Sequence, residues 1–141
     1  MQQQRRFFPT FTSVFVIILL LGAAFSVQAQ ATCDAALDYL TLGNEQYSAG
    51  NNEGATNSFT CAIQQHPNSA AAYNGRGNAY RNLANYTQAI ADYTRAIELA
   101  PDFALAYNNR GWAYYQQGEY NRALSDYNQA IALDSSLAYA Y

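Results

Sequence analysis

The chain has 141 residues, half of them hydrophobic, with thirteen tyrosines and only 12% charged residues. Such a length holds one hydrophobic core once a leader is set aside, which excludes a multi-domain organisation, and the composition is that of a folded helical chain rather than a disordered one. Every cation is an arginine. The formal net charge is −3, and without Arg5 and Arg6 five arginines face ten carboxylates, a surface that repels phosphate backbones and argues against nucleic acid as a partner.

The first thirty residues fall into three zones: polar and basic from Gln2 to Arg6, apolar from Val14 to Phe25, then Ser26, Val27, Gln28 and Ala29. A translocon captures the apolar run and a peptidase accepts small residues before its cut, so residues 1–29 read as a signal peptide, extending to 31 if the pair Ala29 and Ala31 is used. The alternative is an uncleaved anchor. Twelve apolar residues at about 1.5 Å each reach only roughly 18 Å into a layer about 30 Å thick, so cleavage is favoured. Thr32 and Gln30 suit lipid attachment at Cys33 poorly. The expected location is therefore outside the cytoplasm, periplasmic or secreted, with membrane contact only if the leader is retained.

After the leader one period organises the chain. Tyr73, Asn74, Gly75, Arg76, Gly77, Asn78, Ala79, Tyr80 returns 34 residues on as Tyr107, Asn108, Asn109, Arg110, Gly111, Trp112, Ala113, Tyr114. The same offset aligns Ala55, Ala89 and Ala123, then Phe59, Tyr93 and Tyr127, then Ala62, Ala96 and Ala130. It also reaches back to Tyr39, Leu42 and Gly43 and forward to Tyr141. Each unit carries two helical patterns split at Gly50, Ala84 or Gly118, with Asn51, Asn85 or Glu119 opening the second. Asp34, Asn68, Asp102 and Ser136 are expected to cap the first helices, and Pro67 and Pro101 to stop the second ones. Ser135 replaces that proline in the third unit, which predicts a less sharply defined end. Gly43, Gly77 and Gly111 should give close approach to the second helix, with Ala55, Ala89 and Ala123 facing them.

These aligned aromatic, glycine, alanine and proline positions resemble the tetratricopeptide repeat over Asp34 to Tyr141, with departures at Gln46 and Ser135. The resemblance implies an all-α, right-handed α-solenoid of antiparallel helical hairpins: unit one at 34–67, unit two at 68–101, unit three at 102–135, and the start of a fourth at 136–141. It also implies a concave side lined by the first helices, which receives a peptide or a helix. Helical spacing puts Asn74, Asn78 and Arg81 on one stripe and Asn108, Trp112 and Tyr115 on the matching one, with Leu40, Asn44 and Tyr47 from the first unit. Asparagine amides both donate and accept, which suits holding a peptide backbone. A solvated face for the asparagines, and packing against a following repeat for Trp112 and Tyr115, are equally compatible readings. Lysine is absent, so a lysine-based clamp on a C-terminal carboxylate does not fit.

Arg76 with Asp92 and Arg110 with Asp126 share one spacing, whereas unit one has Leu42 with Ser58. The pair comes or goes together, which predicts an ion pair inside each hairpin and leaves these arginines little capacity for an anionic ligand. Cys33 before the first helix and Cys61 near the end of the second are neighbours in a hairpin, and an exported chain permits a disulfide, with two free thiols as the alternative.

No constellation points to catalysis, a cofactor or a metal. His66, the only histidine, precedes Pro67 in a turn, and two cysteines with one histidine lack zinc spacing. Asn85, Tyr86, Thr87 matches a glycosylation sequon, though repeat geometry alone explains the residues. The expected function is a non-catalytic scaffold that binds a protein or peptide. A subunit that self-associates end to end, and a piece of a longer repeat array, are the alternatives.

Overall fold

A computed structural model describes residues 33–139; the predicted leader and Ala140 and Tyr141 lie outside the described residues. Six α-helices follow one another: α1 (Tyr39–Ser48), α2 (Asn52–Gln65), α3 (Ala70–Asn82), α4 (Tyr86–Leu99), α5 (Ala104–Gln116) and α6 (Tyr120–Leu133), then a 3-10 helix at Ser135–Tyr139. Contacts join α1 to α2, α3 to α4 and α5 to α6, then each pair to the next, with α1, α3 and α5 touching one another in sequence. The described chain is an all-α solenoid of three hairpins with no strand.

Each hairpin tip turns on a residue with positive φ: Gly50 at 77°, Ala84 at 56° and Gly118 at 78°. The left-handed conformation is open to glycine and costs an alanine about 1 kcal/mol or more, so the second tip is strained where the other two are not. Asn51 caps α2, accepting from the Gly54 N–H, whereas Asn85 and Glu119 occupy the cap positions of α4 and α6 without a side-chain bond to the helix backbone.

The caps of the first helices differ from the sequence expectation. Asp38, not Asp34, caps α1, with its carboxylate accepting from the N–H groups of Leu40 and Thr41 and from the Thr41 hydroxyl. Asp34 instead closes a separate turn through the Ala36 N–H, and Gln65 donates to the carbonyls of Asp34 and Leu37. The stretch that would have been the first turn of α1 is thus held to the end of α2. Ser69 rather than Asn68 caps α3, and Phe103 takes the cap position of α5 with no side-chain bond. Among the described residues Ser136 begins no α-helix; its N–H and hydroxyl both donate to Asp134 in a tight turn.

The second helices end in register at Gln65, Leu99 and Leu133, proline or not. Asp134 leaves α6 with extended backbone at φ −142°, close to His66 at −133° and Ala100 at −139°. The turn made by Asp134 with Ser136 replaces the missing proline, so the third end is as sharp as the others.

Aromatic rings lie nearest the first-helix glycines, and of the small alanines only Ala123, through its backbone carbonyl, comes as close, at Gly111. A methyl group on Gly43 would stand 2.7 Å from the Phe59 ring, and one on Gly75 of the next hairpin 2.6 Å from that same ring. Phe59 is therefore clamped between two glycine surfaces and fully buried. Tyr93 lies on Gly77, and Tyr127 on Gly111, in the same way. Ala55 and Ala89 are also fully buried, but pack on Ala79 and Ala113 of the next first helix. Ala96 and Ile97 nest against Ala106, with Tyr73, Phe103 and Tyr107 around them. Full burial of the Phe59 side chain contributes roughly 1.5 to 3 kcal/mol.

Candidate functional site

Arg76 and Arg110 sit at the middle of α3 and α5 and meet the aspartates of the second helices. Each makes two parallel bonds of 2.8 Å, Nε and Nη2 donating to the two oxygens of Asp92 or Asp126. The third nitrogen reaches back to the preceding hairpin: Arg76 Nη1 donates to Thr60 at 3.1 Å, and Arg110 Nη1 to Thr94 at 3.0 Å. Tyr73 and Tyr80 flank Arg76, and Tyr107 and Tyr114 flank Arg110, with the guanidinium carbon 5.6 to 6.0 Å from the ring centres. Burial works against the charge of Arg76, but the bond and charge of Asp92 outweigh it and the net shift is upward; for Arg110 the bond to Asp126 leads. These two arginines are used up in holding hairpins together.

In the first hairpin Ser58 donates to Gln46 at 2.8 Å. Gln46 stands where the other units have Tyr80 and Tyr114, so its departure from the repeat supplies the partner that Leu42 cannot. The sulfurs of Cys33 and Cys61 are bonded, with Cα atoms 5.4 Å apart.

The first-helix layer carries a second network. Arg81 Nη1 donates to the Asn109 side-chain oxygen at 3.2 Å, Arg81 Nη2 donates to the Tyr47 hydroxyl at 3.3 Å, and its guanidinium lies 5.4 Å from the Trp112 ring centre. One side chain on α3 thereby touches α1 and α5. Tyr86 meets Trp112 edge-on at 5.8 Å, and Asn109 donates to the Asn74 side-chain oxygen at 3.2 Å. Tyr93 donates to the Asn78 side-chain oxygen at 2.8 Å, and burial pushes the Tyr93 hydroxyl well above its ordinary pKa, so it stays a donor.

The stripe residues picked from the sequence thus fall into different situations. Asn44 is exposed. The oxygens of Asn74 and Asn78 are already engaged by the fold. Asn108 has its side-chain oxygen buried with no donor among the described residues. Tyr115 is 53% exposed and meets Tyr120 edge-on. Sequence reasoning missed Asn109, Thr60 and Thr94. The last two recur 34 residues apart and each precedes an arginine by 16, a signal present in the sequence. Asn109 has Gly75 at the equivalent place, so no recurrence marked it.

Among the described residues no group of three His, Cys, Asp or Glu side chains could hold a metal ion, and no helix is long and apolar enough to cross a membrane. A cleft of about 1040 Å³ opens at the edge of the first hairpin beside Asp38, Gln65 and His66, and none of the Arg81 network lines it.

Models of the tetratricopeptide repeat match residues 40–91 and 104–137, and a TPR repeat model matches 77–118. The chain belongs to the tetratricopeptide-repeat family. Solved structures of such domains superpose on it. The TPR2B domain of yeast Sti1, in complex with pHsp70, is 30% identical over 70% of this chain and 80% of that one, with a TM-score of 0.66. The second TPR of Spaghetti (RPAP3), bound to the HSP90 peptide SRMEEVD, is 28% identical over 77% of this chain and 100% of that one, with a TM-score of 0.68. MamA is 26% identical with a TM-score of 0.66; the match covers 73% of this chain and 60% of MamA. No curated protein matches the chain in sequence.

Proposed function

We propose that this tetratricopeptide-repeat chain is a non-catalytic scaffold that holds a peptide or protein segment along the layer formed by α1, α3 and α5, outside the cytoplasm. The observation that carries the reading is the Tyr47, Arg81, Asn109 and Trp112 network, which runs across all three hairpins. Side chains locked in this way lose little entropy on binding, so contacts made there convert more fully into affinity. Tetratricopeptide domains 28 to 30% identical to this chain are solved with an HSP90 peptide and with pHsp70, which supports a peptide or protein partner. The leader pattern of the sequence and the bonded Cys33 and Cys61 support export, since disulfides persist in oxidising compartments.

The test is photo-crosslinking of random decapeptides. A benzophenone side chain at Asn44 on α1 should capture peptide, and one at Gln88 on α4, equally exposed, should not. Equal capture at both positions, or none at Asn44, would contradict the reading.

A second reading has its own observation. Asn74 receives its bond from Asn109, 35 residues on in the next hairpin, and the buried oxygen of Asn108 is the equivalent acceptor at the third hairpin. Leu124 is 60% exposed and Tyr120 63%, where their counterparts Ile90 and Tyr86 pack against the following helix. This face therefore fits a further helical hairpin, from a longer array or a second copy. Sedimentation of residues 33–141 as a monomer at all concentrations would remove the second copy.

A further inference from the structure

The seam between the second and third hairpins is made by one face of α5. Ala106 packs on Ala96 and Ala113 on Ala89, while Arg110 donates to Thr94 and Asn109 donates to Asn74. Those four residues of α5 follow the i, i+3, i+4, i+7 spacing of a single helical face. The third hairpin keeps the receiving half of this arrangement, since Asn108, Ala123, Asn128 and Ala130 stand 34 residues after Asn74, Ala89, Thr94 and Ala96. Its packing is incomplete. Tyr127 and Ile131 are partly exposed where Tyr93 and Ile97 are buried, and the Asn108 side-chain oxygen is buried with no donor among the described residues, whereas that of Asn74 has one.

The first hairpin lacks the matching half. Where α3 has Ala72, Arg76 and Ala79 and α5 has Ala106, Arg110 and Ala113, α1 has Asp38, Leu42 and Glu45. The four alanines are fully buried, and Asp38 and Glu45 are exposed. Stacking α1 on the α6 of another copy would press two carboxylates into places shaped for methyl groups and strip their water, and the Leu42 side chain has no N–H to offer Asn128. In that second copy α3 and α5 are already seated on α2 and α4. An intact copy of this chain therefore has no first helix that completes the seam.

We infer that the outer face of the third hairpin is a one-sided acceptor for a helix of a different polypeptide, one that carries alanine, arginine and alanine at i, i+4 and i+7 with an amide side chain directly before the arginine. The inference rests on the second reading above, that this face takes a further hairpin, and names the chemistry that hairpin must bring. Asn128 accepts from the arginine as Thr94 does from Arg110, and Asn108 accepts from the amide as Asn74 does from Asn109. The alanines let the incoming helix lie close over Ala123 and Ala130. These contacts run along the helices rather than through the connecting turns, so a helix arriving as a separate chain makes all of them. Charge favours the encounter. Ten carboxylates against five arginines after the leader give the domain a negative field that draws in an arginine-bearing helix.

The probe is a labelled peptide of residues 102–135, which carries Ala106, Asn109, Arg110 and Ala113, titrated into the mature chain. It should bind roughly tenfold tighter than the same peptide with A106D, R110L and A113E, which has the face of α1. Asn108→Ala and Asn128→Ala in the mature chain should each weaken binding about fivefold, as the loss of one hydrogen bond implies. Equal affinity for the two peptides would overturn the inference. So would binding indifferent to both asparagine changes, which would mean that the peptide displaces α5 and α6 instead of stacking on them. A second arm appends another copy of residues 102–135 directly behind Ser135 in the same chain, and the melting temperature should rise. A rise there with no binding of the separate peptide would overturn the inference and leave the reading of a longer covalent array intact. No rise and no binding would remove both.

Discussion

The first hairpin and the two that follow share a backbone and differ in what holds it. In hairpins two and three a half-buried arginine bridges its own aspartate and a threonine of the preceding hairpin, so one side chain serves both a hairpin and a seam. The first hairpin has no preceding neighbour among the described residues, and where the second has Arg76, Asp92 and Tyr80 it has Leu42, Ser58 and Gln46, with a disulfide across its open end. An arginine there would be buried without the threonine that takes its third nitrogen. A repeat fold thus tolerates a change of chemistry where the seam that needs it is missing, provided that all members change together.

The largest effect should come from breaking one member alone. Asp92→Ala leaves Arg76 without its anion and should cost about 3 to 5 kcal/mol in urea unfolding, whereas Ser58→Ala, which removes one neutral hydrogen bond, should cost about 1 kcal/mol. Converting the second hairpin to the chemistry of the first, with Arg76→Leu, Tyr80→Gln and Asp92→Ser together, should cost less than Asp92→Ala does. A triple variant weaker than the single one would show that the two hairpins are not interchangeable solutions.

Next in size is the disulfide. Cys33 and Cys61 are separated by 28 residues, and in the chain-entropy model closing a loop of this length stabilises by about 3 to 4 kcal/mol. Replacing both cysteines by serine should lower stability by up to that amount. Hydrogen exchange should quicken first in α1 and α2. Uniform quickening across α5 and α6 would mean that the bridge is not local support for the end hairpin.

The hairpin tips give a smaller contrast. Ala84→Gly should stabilise by about 0.5 to 1 kcal/mol by relieving the left-handed strain, and Gly118→Ala should destabilise by a similar amount. Equal and opposite shifts in midpoint would confirm that the tips are the same structure with different residues.

Most of the fold was legible because the period repeats small and aromatic residues whose packing reasons are local. The helix breaks at Gly50, Ala84 and Gly118 and the partners of Arg76 and Arg110 follow from it. Cap positions were less legible. Asp34 and Asp38 are both good caps one turn apart, and the choice is made by Gln65 and the disulfide, which are tertiary contacts. The candidate site was harder still. Asn109 matters because Arg81 and Asn74 reach it from the neighbouring hairpin, and its counterpart Gly75 has no side chain to announce the position.

The smallest expected effect is on pH dependence. The Thr41 hydroxyl and N–H hold the Asp38 carboxylate below its usual range, and Ser136 does the same for Asp134. Depressed values in the folded state mean that their contribution is complete above the unfolded carboxylate pKa of about 4 and fades as pH falls through the folded values. Asp38→Asn keeps an oxygen at the cap and should flatten the acid limb of stability while changing little at pH 7.

Where a peptide sits decides between the first-helix layer and the outer face of the third hairpin. Amide shift mapping with a decapeptide retained by the domain measures this directly. Changes confined to α1, α3 and α5, strongest around Asn44, Arg81 and Trp112, are the predicted result. Changes centred on α6 and the 3-10 helix, with α1 and α3 silent, would contradict it and assign the binding surface to the outer face of the third hairpin.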